Sequence, residues 1–143
     1  MRVLFDIDVI LDLLLDRQPH AENAARLLSE AERGGFSGYL CATAVTTIYY
    51  LAAKSVGARR AREHVRSLLS VLEVAPVNRG VLEGALLADF RDFEDAVTHE
   101  SARLVEAHFI VTRNLGDFRG SQIAVHSPRE LLALLAASQS DEG

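Results

Sequence analysis

Short apolar runs alternate with longer segments of helical periodicity along the whole chain. The apolar runs are "VLF", "SGYLCA", "LEVAPV", "HFIVT" and "SQIAVH", and each has the length of a buried strand. Between them, apolar residues recur every three or four positions, as in "AENAARLLSEAERGG" and "ARRAREHVRSLLSVL". Helices that separate buried strands in this way predict a parallel sheet covered on both faces. We therefore expect an α/β fold, a three-layer α/β/α sandwich around a mostly parallel sheet of about five strands.

Capping residues refine the limits of the predicted helices. Thr43 is a candidate N-cap for the helix after "SGYLCA". Ser127 is a candidate N-cap for the last helix, with Pro128 in the first turn and Glu130 as its capping-box partner. No linker or repeat divides the 143 residues, so we expect one domain over 1–138 and a frayed tail over 139–143.

The composition argues against several protein classes. No apolar run is long enough for a transmembrane helix, and no basic region precedes the first apolar stretch as it would in a signal peptide. The only cysteine, Cys41, can form neither an internal disulfide nor a cysteine-based zinc site. We therefore expect a cytoplasmic protein that has no membrane partner.

The charge distribution is more informative than the net charge of −5, which gives no sign of nonspecific nucleic-acid binding. Lys54 is the only lysine among 15 basic residues. One helix carries arginines at 59, 60, 62 and 66 along its polar side. These could contact phosphates, but a solvated helix surface is the interpretation we favour.

Aspartates lie where an open parallel sheet forms its sites, beyond the carboxyl ends of the strands. Asp6 directly follows "VLF", and Asp117 lies in the loop after "HFIVT". Thr112 and Asn114 belong to the same loop segment as Asp117. A further helix begins with "DFEDA", which contributes the acids at 92 and 95. Three segments thus offer carboxylates that the sheet would bring together.

Converged carboxylates repel one another unless a cation neutralises them, and Mg²⁺ or Mn²⁺ prefers oxygen ligands. Such an ion activates water for phosphodiester hydrolysis. A simpler explanation also exists, since Asp92 could be an N-cap with Asp95 at its N3 position. Asp117 could likewise be a turn residue. The residues alone leave the metal site and the capping explanation equally open.

Several segments together resemble the PIN domain family, and more closely its bacterial toxin ribonucleases of the VapC type. They are "VLFDIDVILDLLLDRQP", "ATAVTTIYYLAAK", "DFEDAVTHESA", "IVTRNLGDF" and "SPRELL", in this order over nearly the whole chain. The resemblance implies a ribonuclease dependent on Mg²⁺ or Mn²⁺. It also implies a toxin of a toxin–antitoxin pair, which forms a homodimer and is blocked by a cognate antitoxin that covers the acidic cleft.

The resemblance assigns functions to individual residues. Asp6, Asp95 and Asp117 match the family acids that would hold the ion and orient the attacking water. Asp92 matches a frequent extra acid, and Thr112 matches a small hydroxyl residue near the metal. Four residues are expected to support the site: Asp8, Thr47, Thr112 and Asn114. Arg113 is adjacent to the site and is the candidate contact for the scissile strand.

The sequence departs from the family pattern at two places. The pattern reads Asp-x-Asn near the start, whereas this chain has Asp8 at the third position. Many members carry a glutamate on the helix after the second strand, where this chain has Thr46 and Thr47. A threonine can bind a metal-held water but brings no charge. The resemblance therefore implies either compensation by Asp8 or Asp92, or weakened catalysis.

Two alternatives differ in function. "VLFDIDVIL" also resembles the first motif of haloacid-dehalogenase-type phosphatases, in which Asp6 would be the nucleophile and Asp8 the acid/base. Those enzymes need a late basic residue, and Lys54 is far from any acidic pair. The other alternative is a PIN-fold module that binds RNA or protein without cleavage.

Two surface predictions complete the sequence analysis. Asp12 and Asp16 fall on the helix after Asp6 and are expected to face solvent. The apolar helices between Ala42 and Leu72 are the expected dimer face.

Overall fold

Helices and strands alternate as the sequence predicts in a computed structural model that describes residues 1–142, and side chains through Gln139. The strands are β1 (Arg2–Phe5), β2 (Ser37–Cys41), β3 (Glu73–Ala75), β4 (Phe109–Val111) and β5 (Ala124–His126). The helices are α1 (Ile7–Leu14), α2 (Ala21–Glu32), α3 (Ala42–Val56), α4 (Ala58–Val71), α5 (Arg79–Leu87), α6 (Phe93–Leu104) and α7 (Pro128–Glu142). A 3₁₀ turn, Leu115–Phe118, follows β4.

The five strands form one sheet in the order β3-β2-β1-β4-β5, and every neighbouring pair is parallel. Phe5 packs against one helical layer, in a core with residues of α1, α2, α3 and α7. Its neighbour Leu4 faces the other layer and packs near Ala102 of α6. This alternation along a buried strand covers both faces of the sheet, so the predicted three-layer α/β/α sandwich is confirmed.

The capping predictions have different outcomes. The capping box of α7 is present, because Glu130 N donates to Ser127 Oγ at 3.1 Å and Ser127 N donates to Glu130 Oε1 at 2.9 Å. Thr43 does not cap α3, which begins at Ala42 directly after β2, with Cys41 at the N-cap position. The strand thus leads into the helix without the connecting residue that a Thr43 cap requires, and Thr43 lies in the first turn.

The C-terminal helix extends beyond the predicted end of the domain. Helix α7 continues past Ser138 to Glu142, while the domain limit at 138 and the fraying of the tail stay predictions. Gly143, the last residue of that tail, lies outside the described residues. Over residues 1–142, none of the helices combines the length and apolar character that a bilayer crossing requires.

Candidate functional site

Asp6 is fixed at the centre of the carboxyl edge of the sheet, directly after β1. Its backbone N–H donates to Val111 O of β4 at 2.9 Å, which places it beside the next strand. The carboxylate accepts from Ile7 N at 2.9 Å and from the Thr112 hydroxyl at 2.8 Å. With only 6% of its surface exposed, Asp6 has a single defined orientation.

Asp6 and Asp95 face the same small cavity, of about 60 Å³, between α1, α3 and α6. Asp95 lies in the first turn of α6, which brings it to the edge of the sheet opposite Asp6. The other polar residues that line the cavity are Thr43, Thr47, Glu94 and Thr98. Two of the three predicted family acids therefore share one cavity.

The carboxylates of this site interact electrostatically. Burial, the charge of Asp8 and, more weakly, that of Asp117 raise the pKa of Asp6 to about 6. Burial and then the charges of Asp6, Asp92, Asp117 and Asp8 raise the pKa of Asp95 to about 7. Since each charge opposes ionisation of the next, the site would gain free energy by binding a proton or a cation.

The donor atoms suit a hard divalent ion that keeps several waters. Among the described residues, no three His, Cys, Asp or Glu side chains are gathered as closely as the ligands of a bound ion. The available donors are carboxylate and threonine hydroxyl oxygens, the ligand type of Mg²⁺ and Mn²⁺, and Mg²⁺ is commonly held by only one or two carboxylates. Asp6 and Asp95 are therefore the residues that would hold such an ion.

Asp117 lies next to this cavity rather than in it. It is exposed on the 3₁₀ turn and lines a neighbouring cavity of about 400 Å³ together with Arg91 and Arg119. Its charge still reaches Asp6 and Asp95, as the raised pKa values of both show. The third predicted ligand is therefore within electrostatic range of the other two.

Helix α6 also anchors the chain that follows Asp117. The ring of His99 accepts from Gln122 N through Nε2 at 3.1 Å, so Nδ1 carries the proton and donates to Glu100 at 2.8 Å. Gly120 packs so closely against the chain before α6 that a Cβ there would clash with Asp89 O. The segment between the 3₁₀ turn and β5 is thus fixed relative to the helix that carries Asp95.

Asp92 is the N-cap of α6, since its carboxylate accepts from Asp95 N at 3.1 Å. Its charge is also among those that raise the pKa of Asp95. The capping explanation that the sequence left open therefore applies to Asp92. A function as metal ligand stays a prediction for this residue.

Asp8 binds the segment after β4 rather than the cavity. Its carboxylate accepts from Asn114 Nδ2 at 2.8 Å and from Arg113 N at 3.3 Å. The Thr112 hydroxyl lies 3.3 Å from Asp8 and closer to Asp6. Burial raises the pKa of Asp8, and the nearby Arg113 opposes that rise. Three of the predicted supporting residues thus form one network that orients Asp6.

Asp12 is buried, so the expectation that it faces solvent is wrong. Its exposed fraction is 1%, and Arg113 binds both of its oxygens, with Nη2 at 3.0 Å from Oδ1. Arg17 lies 3.7 Å away on the same carboxylate. The position on the helix could not reveal this, because the partner is 101 residues distant in sequence. Asp16 is exposed as expected, although it follows the end of α1.

A comparison with protein families distinguishes the PIN domain from the phosphatase alternative. A family model described as the PIN domain matches residues 2–116, which is most of the chain. The chain belongs to the PIN domain family. The phosphatase alternative is therefore overturned, in agreement with an Asp6 carboxylate whose two oxygens are engaged by Ile7 N and Thr112.

Solved structures of similar fold include PIN toxins. A chain of the DNA-bound VapBC2 structure from Rickettsia felis is 12% identical, with a TM-score of 0.71 and coverage of 89% of this chain and 98% of that one. A chain of a toxin–antitoxin complex from Klebsiella pneumoniae is 20% identical, with a TM-score of 0.68 and coverage of 88% of this chain and 97% of that one. VapC20 from Mycobacterium tuberculosis is described as a toxin that cleaves the sarcin–ricin loop. It is 16% identical to this chain, with a TM-score of 0.62 and coverage of 76% of this chain and 86% of that one. No curated protein sequence matches this chain significantly.

Within this PIN domain, sequence analysis missed three residues of the cavity. Glu94 precedes Asp95, Thr98 follows it by three positions, and Thr43 lies in the first turn of α3. Helical spacing from Asp95 could have identified Thr98. Of the two α3 threonines at the position of the family glutamate, Thr47 lines the cavity, whereas Thr46 lines a groove on the outer side of α3 and α4. Glu94 of α6 thus provides a carboxylate at the cavity, opposite the position on α3 where the family glutamate is absent.

Proposed function

We propose that this PIN domain is a divalent-metal-dependent endoribonuclease, a hydrolase that cleaves RNA phosphodiesters with a metal-activated water. The observation that carries the proposal is the cavity shared by Asp6 and Asp95, two carboxylates whose pKa values are raised by burial and by the charges of neighbouring acids. In this proposal, Asp6, Asp95 and Asp117 hold Mg²⁺ or Mn²⁺, and Asp92 contributes charge from the helix cap. A module that binds without cleavage is the alternative.

Different side chains of the site would have different functions in such a reaction. A bound Mg²⁺ or Mn²⁺ would lower the pKa of water and stabilise the charge that develops on the phosphoryl group. The Thr112 hydroxyl and Ile7 N hold the Asp6 carboxylate in place, which keeps its free lone pairs directed into the cavity. The hydroxyls of Thr43, Thr47 and Thr98 can bind water there, and Glu94 supplies the charge that α3 lacks.

Cleavage of a labelled single-stranded RNA tests the proposal. We expect hydrolysis with Mn²⁺ or Mg²⁺ and none in the presence of a chelator, because the carboxylates alone provide no Lewis acid. Restoration of activity by adding back Mn²⁺ in excess of the chelator is the control for an intact protein. RNA binding without cleavage under any divalent ion would favour the alternative module.

Thermal stability without divalent ions should fall as the pH rises from about 5 to about 8. The pKa values of Asp6 and Asp95 rise from 3.8 to about 6 and about 7 on folding, so in this window the folded protein holds more protons than the unfolded chain. The stabilisation is complete below pH 3.8 and is lost as the pH passes through about 6 and 7. Melting temperatures in chelator measure this profile.

The same melting experiment reports on the ion. Mn²⁺ at high pH should recover the lost stability by binding only the folded state, and Asp95→Ala should remove that response. Asp16→Ala, at an exposed acid outside the site, is the matched control and should retain it. A wild-type melting temperature that responds neither to pH nor to Mn²⁺ would contradict a shared carboxylate site.

The proposed biological context is a toxin–antitoxin pair in the cytoplasm. It is supported by membership of the PIN domain family and by solved neighbours that include a toxin–antitoxin complex, two DNA-bound VapBC structures and FitAB bound to a DNA fragment. The partner would be an antitoxin that covers the acidic cavity. A reading frame for a small DNA-binding protein directly upstream would support this context, and co-expression should then suppress the RNA cleavage.

The structure also offers a surface for the homodimer that the resemblance implies. An apolar groove of about 440 Å³ lies between α3 and α4, and Tyr50 and Leu69 at this groove are 66% and 46% exposed. Sedimentation velocity should show a dimer that Leu69→Glu dissociates, because a charge would then be buried without a partner. A strict monomer at high concentration would contradict the proposal.

A further inference from the structure

A second cavity, of about 800 Å³, opens at the carboxyl ends of β4 and β5, on the α7 side of the candidate site. Its walls come from the turn before α2, the first half of α2, the residue after Thr112 and the start of α7. The polar side chains that matter here are those of His20, Asn23, Arg26, Arg113 and Arg129. Three distant segments of the chain thus contribute one arginine each.

The charge of this cavity is opposite to that of the whole chain. The net charge is −5, yet no Asp or Glu of the described residues lines the cavity. Arg26 and Arg129 are exposed and form no ion pair with any described residue. Arg113 is held in place by Asp12, which fixes the direction of its guanidinium. Arg26 and Arg129 thus carry charges that no described ion pair neutralises, and Arg113 lies beside them in a fixed position. Together they create a local positive potential that attracts anions.

Arg113 connects this cavity to the carboxylate site. Its backbone N–H donates to Asp8, and the preceding residue, Thr112, donates to Asp6. An anion bound beside Arg113 would therefore lie next to the acids without entering their cavity. A polyanion that crosses both cavities would meet carboxylates at one and arginines at the other.

We infer that the arginine cavity, defined by Arg26, Arg113 and Arg129, binds a backbone phosphate of the RNA substrate adjacent to the scissile phosphate. This inference rests on the proposed ribonuclease function. Guanidinium groups match the bidentate geometry of a phosphate, and the phosphate contact fixes the register of the strand relative to the acids. His20 and Asn23 provide hydrogen-bonding groups for the ribose or base of the same nucleotide.

The test compares salt dependence of RNA binding in two double variants. A fluorescent single-stranded oligoribonucleotide is titrated in chelator, which prevents cleavage, over about 50 to 200 mM KCl. Arg26→Ala with Arg129→Ala should weaken binding on the order of tenfold and reduce the slope of log K against log salt by about 0.7, because one phosphate is no longer neutralised. Lysine at both positions should restore the slope, because the charge returns.

Arg59→Ala with Arg60→Ala removes the same charge from the exposed surface of α4 and should leave the slope unchanged. Equal losses in the two double variants, or none in the cavity variant of an enzyme that cleaves RNA, would overturn the inference and leave the proposed function standing. Loss of poly-L-glutamate binding with unchanged RNA binding would overturn it in favour of an acidic protein partner. A wild-type protein that neither binds nor cleaves RNA would contradict the proposed function itself.

Discussion

Replacement of Asp6 by asparagine is expected to abolish metal-dependent RNA hydrolysis while the fold is retained. Asparagine keeps the shape of the side chain and an oxygen that can accept from Ile7 N or Thr112. It removes the charge that a divalent ion requires at the centre of the site. The loss should exceed the factor of about 10–100 that is typical of outer-shell partners of a metal site.

Rates of RNA cleavage with saturating Mn²⁺ measure this effect. Asp16→Asn is the matched control, because it removes one negative charge from an exposed position beyond α1. Melting in chelator should show that Asp6→Asn is at least as stable as the wild type at about pH 8, since a repelling charge is gone. Cleavage by Asp6→Asn at the wild-type rate would contradict the assignment of Asp6 as a ligand.

Replacement of Arg113 by methionine is expected to lower the free energy of unfolding by about 3–5 kcal/mol. Asp12 is 1% exposed, and Arg113 provides the two closest donors to its carboxylate. Without Arg113, a buried negative charge would remain with Arg17 alone, at 3.7 Å. Methionine retains the apolar stem of the arginine, so the loss reports the charge rather than the packing.

Urea unfolding of the wild type and three variants separates the contributions. Arg17→Met should cost at most about 1 kcal/mol, because that side chain is 43% exposed and Arg113 stays in place. The double variant Asp12→Leu with Arg113→Met should recover much of the lost stability, since neither charge is then buried alone. A loss in Arg113→Met no larger than that in Arg17→Met would show that the buried pair contributes little.

The alternation of strands and helices could be predicted because each buried strand is a short apolar run and each helix has an apolar stripe. The capping box of α7 was also predictable, since all its contacts lie within four residues. The cap of α3 was not, because the tight connection from β2 at Cys41 depends on where the strand ends in the sheet. Local patterns thus predict elements better than the junctions between them.

In the candidate site, contacts between distant segments of the chain could likewise not be predicted from local patterns. Asp6 was predictable as a special residue because an acid directly after a buried strand needs a partner. The burial of Asp12 was not predictable, since helical position alone cannot show that Arg113 lies opposite it. Likewise, the arginine cavity combines residues from α2, the end of β4 and the start of α7, which no sequence window contains.

The bond between Asp8 and Asn114 has a consequence for the divergence of this chain. Asp8 stands where the family pattern has asparagine, and its carboxylate accepts from the Asn114 amide at 2.8 Å. Asparagine at position 8 would offer one acceptor oxygen in place of two and could turn its own N–H groups towards those of Asn114. With asparagine at position 8, an acid at position 114 would restore a charge-assisted bond in which residue 8 donates and residue 114 accepts. An exchange of Asp8 for asparagine alone would therefore replace the charge-assisted bond to Asn114 with a weaker bond between two neutral amides.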